Sequence, residues 1–295
     1  MTNADPARPV PTASSGGSEL ILRILSGLVL APLAVGVAYL GGWAFVVFWS
    51  IAALLVLWEW CTLVAAGERL TVLLIAGAAV LFALLLASTS APGAEGSHGV
   101  RLVAGATLLL MGMLATAALA PSDRRVWTAA GIPYAGLLGM APIVLRNDAQ
   151  YGFLAIVFLF AVVWATDIVA YFVGRAVGGP KLAPRISPKK TWSGAVGGTI
   201  AAIAAALAVA ILAGLPNLPA LGLIAAAVSA LAQGGDLFES ALKRRFGAKD
   251  SSHLIPGHGG LMDRLDGFVA AVVLATLIGL SHGGVDEPAR GLLVW

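Results

Sequence analysis

Apolar runs of about 20 residues, each long enough to cross a ~30 Å hydrocarbon core as a helix, recur along this chain from Leu20 almost to its end. No other feature restricts the fold as tightly. Lipid offers no partners to backbone amides, so such runs must bond internally, and the expected class is an all-α polytopic membrane protein. Composition agrees, with 59% of the 295 residues apolar and 11% charged, values that exclude a soluble globular domain.

Breaks at Gly41-Gly42, Gly67 to Arg69, Ser88 to Gly99, Pro121 to Arg125, Arg146 to Gly152, Gly178 to Thr191, Gly214 to Pro219 and Lys243 to His258 divide the chain into nine spans. Their expected limits are 20–40, 43–65, 70–88, 100–120, 126–145, 152–176, 193–213, 219–242 and 259–281. The fifth has the most helix-disfavouring residues, Gly131, Pro133, Gly136 and Gly139. Residues 1–19, rich in Pro, Ser, Gly and Ala, read as a disordered cytosolic tail without the apolar core of a signal peptide. Residues 20–150 then form the N-terminal helices and 151–295 a C-terminal catalytic region, within one integrated membrane domain. The single cysteine, Cys61, can form no intramolecular disulfide.

With a cytosolic N-terminus, the even-numbered connections are cytosolic and hold Arg69, Arg124, Arg125, Arg175, Lys181, Arg185, Lys189, Lys190, Lys243, Arg244, Arg245 and Lys249. The opposite side keeps only Arg101, Arg146 and Arg290. That asymmetry is the positive-inside pattern. Trp43, Trp49, Trp58, Trp60 and Trp127 lie near or within the second and fifth spans, where interfacial anchoring accounts for most of them.

Six acidic residues, Glu59, Asp167, Asp236, Glu239, Asp263 and Asp266, fall inside or at the rims of apolar spans. A charge at bilayer depth costs about 2.5–3.5 kcal/mol on insertion scales, which marks a functional site by default. Asp236, Glu239 and Ser240 share one face at the end of the eighth span, and Asp263 and Asp266 are three apart at the start of the ninth. Neighbouring helices bearing carboxylates at one depth repel unless a cation lies between them. Hard oxygen donors suit Mg²⁺, which completes its shell with water and phosphate oxygens. Such a phosphate needs cations, and Lys243, Arg244, Arg245, Lys249 and Arg264 adjoin.

Gly257, Gly259 and Gly260 around His258 let backbone approach a phosphate, while Gly234 and Gly235 are expected to break or thin the eighth span. A second basic segment, Gly174 to Gly194, carries Lys181, Arg185, Lys189, Lys190, Ser187, Thr191 and Ser193, with Asp167 two turns before it. Topology alone explains the basic loops as well as phosphate binding does. Glu59 and Asp167 read equally as packing partners or substrate contacts, and His258 as a bonded loop histidine or a base.

The segment Ser240, Leu242, Lys243, Arg244, Lys249, Asp250, Ser252, Ile255, Pro256, His258, Gly259, Gly260, Asp263, Arg264 and Asp266 resembles the signature of the phosphatidate cytidylyltransferases. Upstream, Asp167 with Ala170-Tyr171-Phe172, Ser187-Pro188-Lys189-Lys190-Thr191-Trp192, Gly197-Gly198 and Gly235 to Ser240 are similar to the same family, so the likeness covers Asp167 to Gly267. It implies cytidylyl transfer from CTP to phosphatidate with Mg²⁺, in a homodimer of the bacterial-type inner membrane, the active site facing the cytosol. No nucleic-acid partner is expected. By the same resemblance Asp236 and Asp263 are metal ligands with Asp266 and Glu239 in support, and Lys243, Arg264 and Asp266 join the catalytic set. Lys189, Lys190, Arg244 and Lys249 would hold phosphates, with Ser187, Thr191, Ser240, His258, Gly259, Gly260 and Asp167 lining the substrates. A cation-coupled transporter, the rival class, explains the carboxylates but not the basic loops beside them.

Overall fold

The computed structural model describes residues 16–64, 69–88, 97–255 and 259–295, with side chains from residue 28 onward. In order the elements are α1 (Gly16–Leu40), α2 (Gly42–Val64), α3 (Arg69–Ser88), α4 (Ser97–Leu119), α5 (Arg125–Arg146), α6 (Gly152–Ala176), β1 (Lys181–Ala183), β2 (Ser187–Thr191), α7 (Trp192–Leu212), α8 (Leu218–Arg245), α9 (Met262–Gly283) and α10 (Pro288–Leu293). Among the described residues eight helices, α2 to α9, are long and apolar enough to cross a membrane, and the Leu28–Leu40 part of α1 is a shorter apolar stretch. Most of the expected tail lies outside the described residues, and α1 begins at Gly16, ahead of the expected Leu20.

The fifth helix, least helical by composition, is the hub of the bundle. Pro133 and Pro142 lie within α5, tolerated because surrounding helices re-satisfy freed backbone groups. Its glycines permit close approach: a Cβ on Gly131 would meet Trp60 Cδ1 at 2.5 Å, and one on Gly136 would meet Leu109 Cδ2 at 2.6 Å. Polar groups at the two ends of α5 also finish other helices. Arg124 Nη1 donates to Val64 O at 2.6 Å, Arg146 Nε to Ala38 O at 2.6 Å, and Asn147 Nδ2 to Ala87 O at 2.8 Å. The orphan carbonyls at the C-termini of α2, α1 and α3 thereby gain partners.

These caps sort the connections onto two ends. One end gathers Val64, Arg124, Trp127 and Phe246, with the Arg245 guanidinium 5.0 Å from the Trp127 ring centre. The other gathers Ala38, Ala87, Arg146 and Asp148, whose Oδ2 accepts from Arg290 N at 2.9 Å. Alternation of this kind is what up-and-down threading requires.

Two of the tryptophans assigned to interfacial anchoring serve packing instead, since Trp49 and Trp60 are only 2% and 1% exposed. Trp49 stacks on Phe268 with ring centres 5.1 Å apart, and Trp60 Nε1 donates to Trp127 O at 2.7 Å. The first of these contacts ties α2 to α9. With the Thr276 hydroxyl donating to Ala141 O at 3.2 Å, it interlocks the N-terminal and C-terminal helices in one core.

Candidate active site

The geometry of the site starts from a glycine. Gly234-Gly235 does not break α8, which runs unbroken from Leu218 to Arg245. At Gly235 the missing side chain admits α9 instead: a Cβ there would meet Asp266 O at 2.6 Å and Ala270 Cβ at 2.9 Å, whereas nothing lies within 4 Å of a Cβ on Gly234. This close approach sets Asp236, Glu239 and Lys243 of α8 against Asp263 and Asp266 of α9.

A cation of the chain itself lies between carboxylates of the two helices. Lys243 Nζ lies 2.8 Å from Glu239 Oε2 and 2.7 Å from Asp263 Oδ1. The Glu239 contact is an ion pair without hydrogen-bond geometry, so both buried Glu239 oxygens accept no hydrogen bond. Asp263 is saturated: Ser251 N donates to its two oxygens at 3.2 and 3.1 Å, and Gly260 N to Oδ2 at 2.8 Å. A second group forms beside it, where Lys190 of β2 pairs with Asp236 Oδ2 and the Ser240 hydroxyl reaches Asp236 Oδ1 at 3.4 Å. Asp167 and Asp266 lie within electrostatic range of Asp236 and of Lys190, and Arg264 acts on Asp167.

The segment Gly174 to Gly194 contributes through a β-hairpin that the all-α reading did not contain. Lys181 pairs with Thr191 and Ala183 with Ser187 across β1 and β2. Lys190 points to α8 while Lys189 is exposed. Thr191 also serves the fold: its hydroxyl caps α7, accepting from Gly194 N at 3.2 Å. Ser187 pairs within the hairpin, and Gly194 and Gly198 press α7 onto α6, where added Cβ atoms would meet Ala170 O and Thr166 O, each at 2.7 Å.

Among the remaining expected substrate contacts, Lys249 and Arg264 are exposed, and Arg244 Nη1 donates to Ala248 O at 2.9 Å. His258 lies outside the described residues, as do Pro256 and Gly257. Gly259 has φ +82°, which favours glycine, and Ile255 N donates to Gly259 O at 2.8 Å, joining two described residues ahead of α9. The neighbouring Gly260 has a different reason: a Cβ there would overlap Ser251 Oγ and meet Glu59 Oε1 at 2.6 Å.

Two residues of the N-terminal half reach the site without any local motif to announce them. Glu59, fully buried, accepts from Ser252 Oγ at 2.5 Å, Ser251 Oγ at 3.2 Å, Leu261 N at 2.8 Å and Met262 N at 2.6 Å. Tyr134 of α5 packs tilted against Trp60 with ring centres 4.9 Å apart, and its buried, unpartnered hydroxyl lies within electrostatic range of Asp236, Glu239, Asp263 and Asp266. A glutamate in an apolar run and a tyrosine in a glycine-rich helix are visible in the sequence, but their partners lie far along the chain.

The donor set is all carboxylate oxygen, which suits a hard divalent cation. Glu239, its Oε2 already 2.8 Å from Lys243 Nζ, adds a buried carboxyl group behind that set. Among the described residues, no three His, Cys, Asp or Glu side chains gather closely enough to hold a metal alone. The arrangement therefore fits an ion taking one or two carboxylates and filling its shell with water and phosphate oxygens.

Fold and site together describe an integral membrane protein with its charged groups converging at one end of a helical bundle. Residues 21–281 match the Cytidylyltransferase family. Phosphatidate cytidylyltransferase of Brucella suis biovar 1 is 43% identical over 272 residues, covering 92% of this chain and 97% of the relative. That of Brucella abortus biovar 1 is 44% identical over 262 residues, 89% and 94% of the two chains, and that of Pseudomonas aeruginosa 39% identical over 274 residues, 87% and 96%. The chain belongs to the cytidylyltransferase family and is a nucleotidyltransferase.

Proposed function

We propose that this protein transfers the cytidylyl group of CTP to phosphatidate, giving CDP-diacylglycerol and pyrophosphate, at the cytosolic face of an inner membrane. The observation that carries the reading is the Lys190 to Asp236 ion pair beside the Lys243, Glu239, Asp263 triad. It joins a basic hairpin to acidic membrane helices at the end of the bundle where a lipid phosphate and a water-borne nucleotide would meet. Family membership and the names of the relatives support the same substrates, and the bias of Lys and Arg toward this end supports the cytosolic side.

An oxygen of the lipid phosphate forms a bond to the α-phosphorus of CTP as the bond from that phosphorus to the bridging oxygen breaks and pyrophosphate leaves. A phosphate dianion is already nucleophilic, so the chain need not supply a general base. Its work is positioning and charge neutralisation. Lys190, only partly buried, is placed to exchange Asp236 for an incoming phosphate, while Lys243 holds α8 and α9 in register. Lys189, Arg244, Lys249 and Arg264 add positive charge at the mouth. Asp236 and Asp266, with Glu239 and Asp263 behind them, would hold Mg²⁺, which when bound neutralises phosphate charge.

The test is product formation by the purified protein in detergent from CTP and phosphatidate, with and without Mg²⁺, alongside Asp236→Asn and Asp263→Asn. Mg²⁺-dependent CDP-diacylglycerol that the substitutions abolish is the expected result. Folded protein that makes none, whatever lipid phosphate is offered, would overturn the assignment.

A further inference from the structure

Glu59 sits near the end of α2, nearly two hundred positions from the acidic helices, yet it is fully buried against the loop that leads into α9. Its two oxygens collect donors from both ends of that loop. From the near end come the hydroxyls of Ser251 and Ser252, and from the far end the amides of Leu261 and Met262. The two amides are orphan donors of a helix N-terminus, where a carboxylate also meets the favourable end of the helix dipole. Gly260 has no room for a side chain because the loop is drawn onto Glu59.

The same short loop presents the backbone groups that hold Asp263. Ser251 N and Gly260 N both donate to the Asp263 carboxylate, and each neighbours or is itself a residue that Glu59 holds or excludes. We infer that Glu59 is a positioning residue: it anchors Ser251-Ser252 and Gly260 to Met262 from α2 and thereby fixes where the Asp263 carboxylate stands against Lys243. It touches neither substrate nor reacting atoms in this account, and acts through Ser251, Gly260 and Asp263. The N-terminal helices accordingly do more than complete the bundle, since one of them sets the geometry of the acidic site. The effect on catalysis rests on the function proposed above, whereas the effect on the loop does not.

Full-length Glu59→Gln in detergent tests it with two readouts. An amide keeps the shape but offers one acceptor oxygen where Glu59 uses two, and turns an NH₂ toward donors. Hydrogen exchange of the amides of residues 251–255 and 259–262 is expected to quicken at least tenfold while α6 and α7 exchange as in wild type. In the CTP and phosphatidate assay kcat is expected to fall about a hundredfold, the scale for misplacement by about 1 Å, with KM for CTP changing less than threefold. Glu59→Asp, which keeps both oxygens, should recover part of kcat and part of the loop protection together. Activity lost with unchanged loop exchange would overturn the inference, because Glu59 would then act directly. A loosened loop with wild-type kcat would overturn it too. Should Glu59→Gln loosen the whole protein, Ser251→Ala with Ser252→Ala removes two donors without stranding a charge, and must show the same local signature or the inference fails. A wild-type protein inactive on these substrates would sink the proposed function and leave the exchange result to decide the anchoring.

Discussion

Lys243 Nζ stands 2.7 Å from Asp263 Oδ1 across the seam between α8 and α9. The same ammonium serves Glu239 on its own helix, and the three side chains are 11%, 6% and 1% exposed for Lys243, Asp263 and Glu239. One ammonium thus serves two buried carboxyl groups, one on each helix. Such an arrangement ties the two helices together at the depth of the acidic site.

Removing Lys243 should therefore be costly to the fold as well as to the reaction. Breaking a buried pair from one side destabilises by about 3–5 kcal/mol, because the partner charge stays behind. Lys243→Ala is expected to lower the thermal midpoint in detergent clearly, and Glu239→Gln added to it should restore part of the loss. A Lys243→Ala protein that melts like wild type would show that the triad carries no structural charge.

Asp236 behaves differently because solvent reaches it. Its side chain is 30% exposed and that of Lys190 is 27%, and a pair so open contributes about 0–1 kcal/mol. Asp236→Asn should accordingly shift melting by no more than about 2–4 °C, yet cut product formation by on the order of 10²-fold. Parallel melting and turnover measurements check this, and a large stability loss would place Asp236 in the scaffold.

Tyr134→Phe offers the opposite sign. A buried hydroxyl without a partner costs about 1–3 kcal/mol of desolvation, and Phe keeps the ring contact with Trp60. The variant should melt at a higher temperature than wild type and turn over more slowly, if the hydroxyl finds its partner only when phosphate and cations enter among the carboxylates. Unchanged turnover would make Tyr134 a packing residue alone.

How much of this was readable from the chain depends on the distance over which each signal acts. The helices follow from apolar runs, and the acidic pairs follow from i, i+3 spacing on single helices, both short-range properties. Gly234-Gly235 shows the limit, because glycine inside a helix reads as a break until the neighbour that needs the space is seen. Thr191, read as a substrate ligand, also proves to cap a helix; Trp49 and Trp60 looked like interface anchors and are core. Glu59 shows in the sequence only as an acid inside an apolar span, and Tyr134 carries no local pattern, since the meaning of both lies in partners on α8, α9 and the loop between them.

The two-ended arrangement of connections lets the proposed orientation be tested chemically. Cys61 is buried, so introduced cysteines at exposed positions report alone. Ala149, between α5 and α6, and Pro184, in the turn between β1 and β2, are both exposed and lie at opposite ends of the bundle. With the hairpin cytosolic, an impermeant maleimide should label Ala149→Cys in intact spheroplasts and Pro184→Cys only after permeabilisation. The reverse pattern would turn the protein over in the membrane and move the proposed reaction to the other side.

Neighbouring glycines give the sharpest contrast. At Gly235 a methyl group would run into the Asp266 carbonyl and Ala270, while at Gly234 it would meet nothing within 4 Å. Gly234→Ala should be neutral or stabilising by up to about 1 kcal/mol, the helix-propensity difference. Gly235→Ala should cost about 1–3 kcal/mol by overpacking and reduce activity beyond what that loss explains, because α9 carries Asp263 and Asp266 and must shift to make room. The comparison cancels composition and chain position, leaving only the approach of α8 to α9. Equal behaviour of the two variants would mean that this approach does not set the spacing of the acidic site.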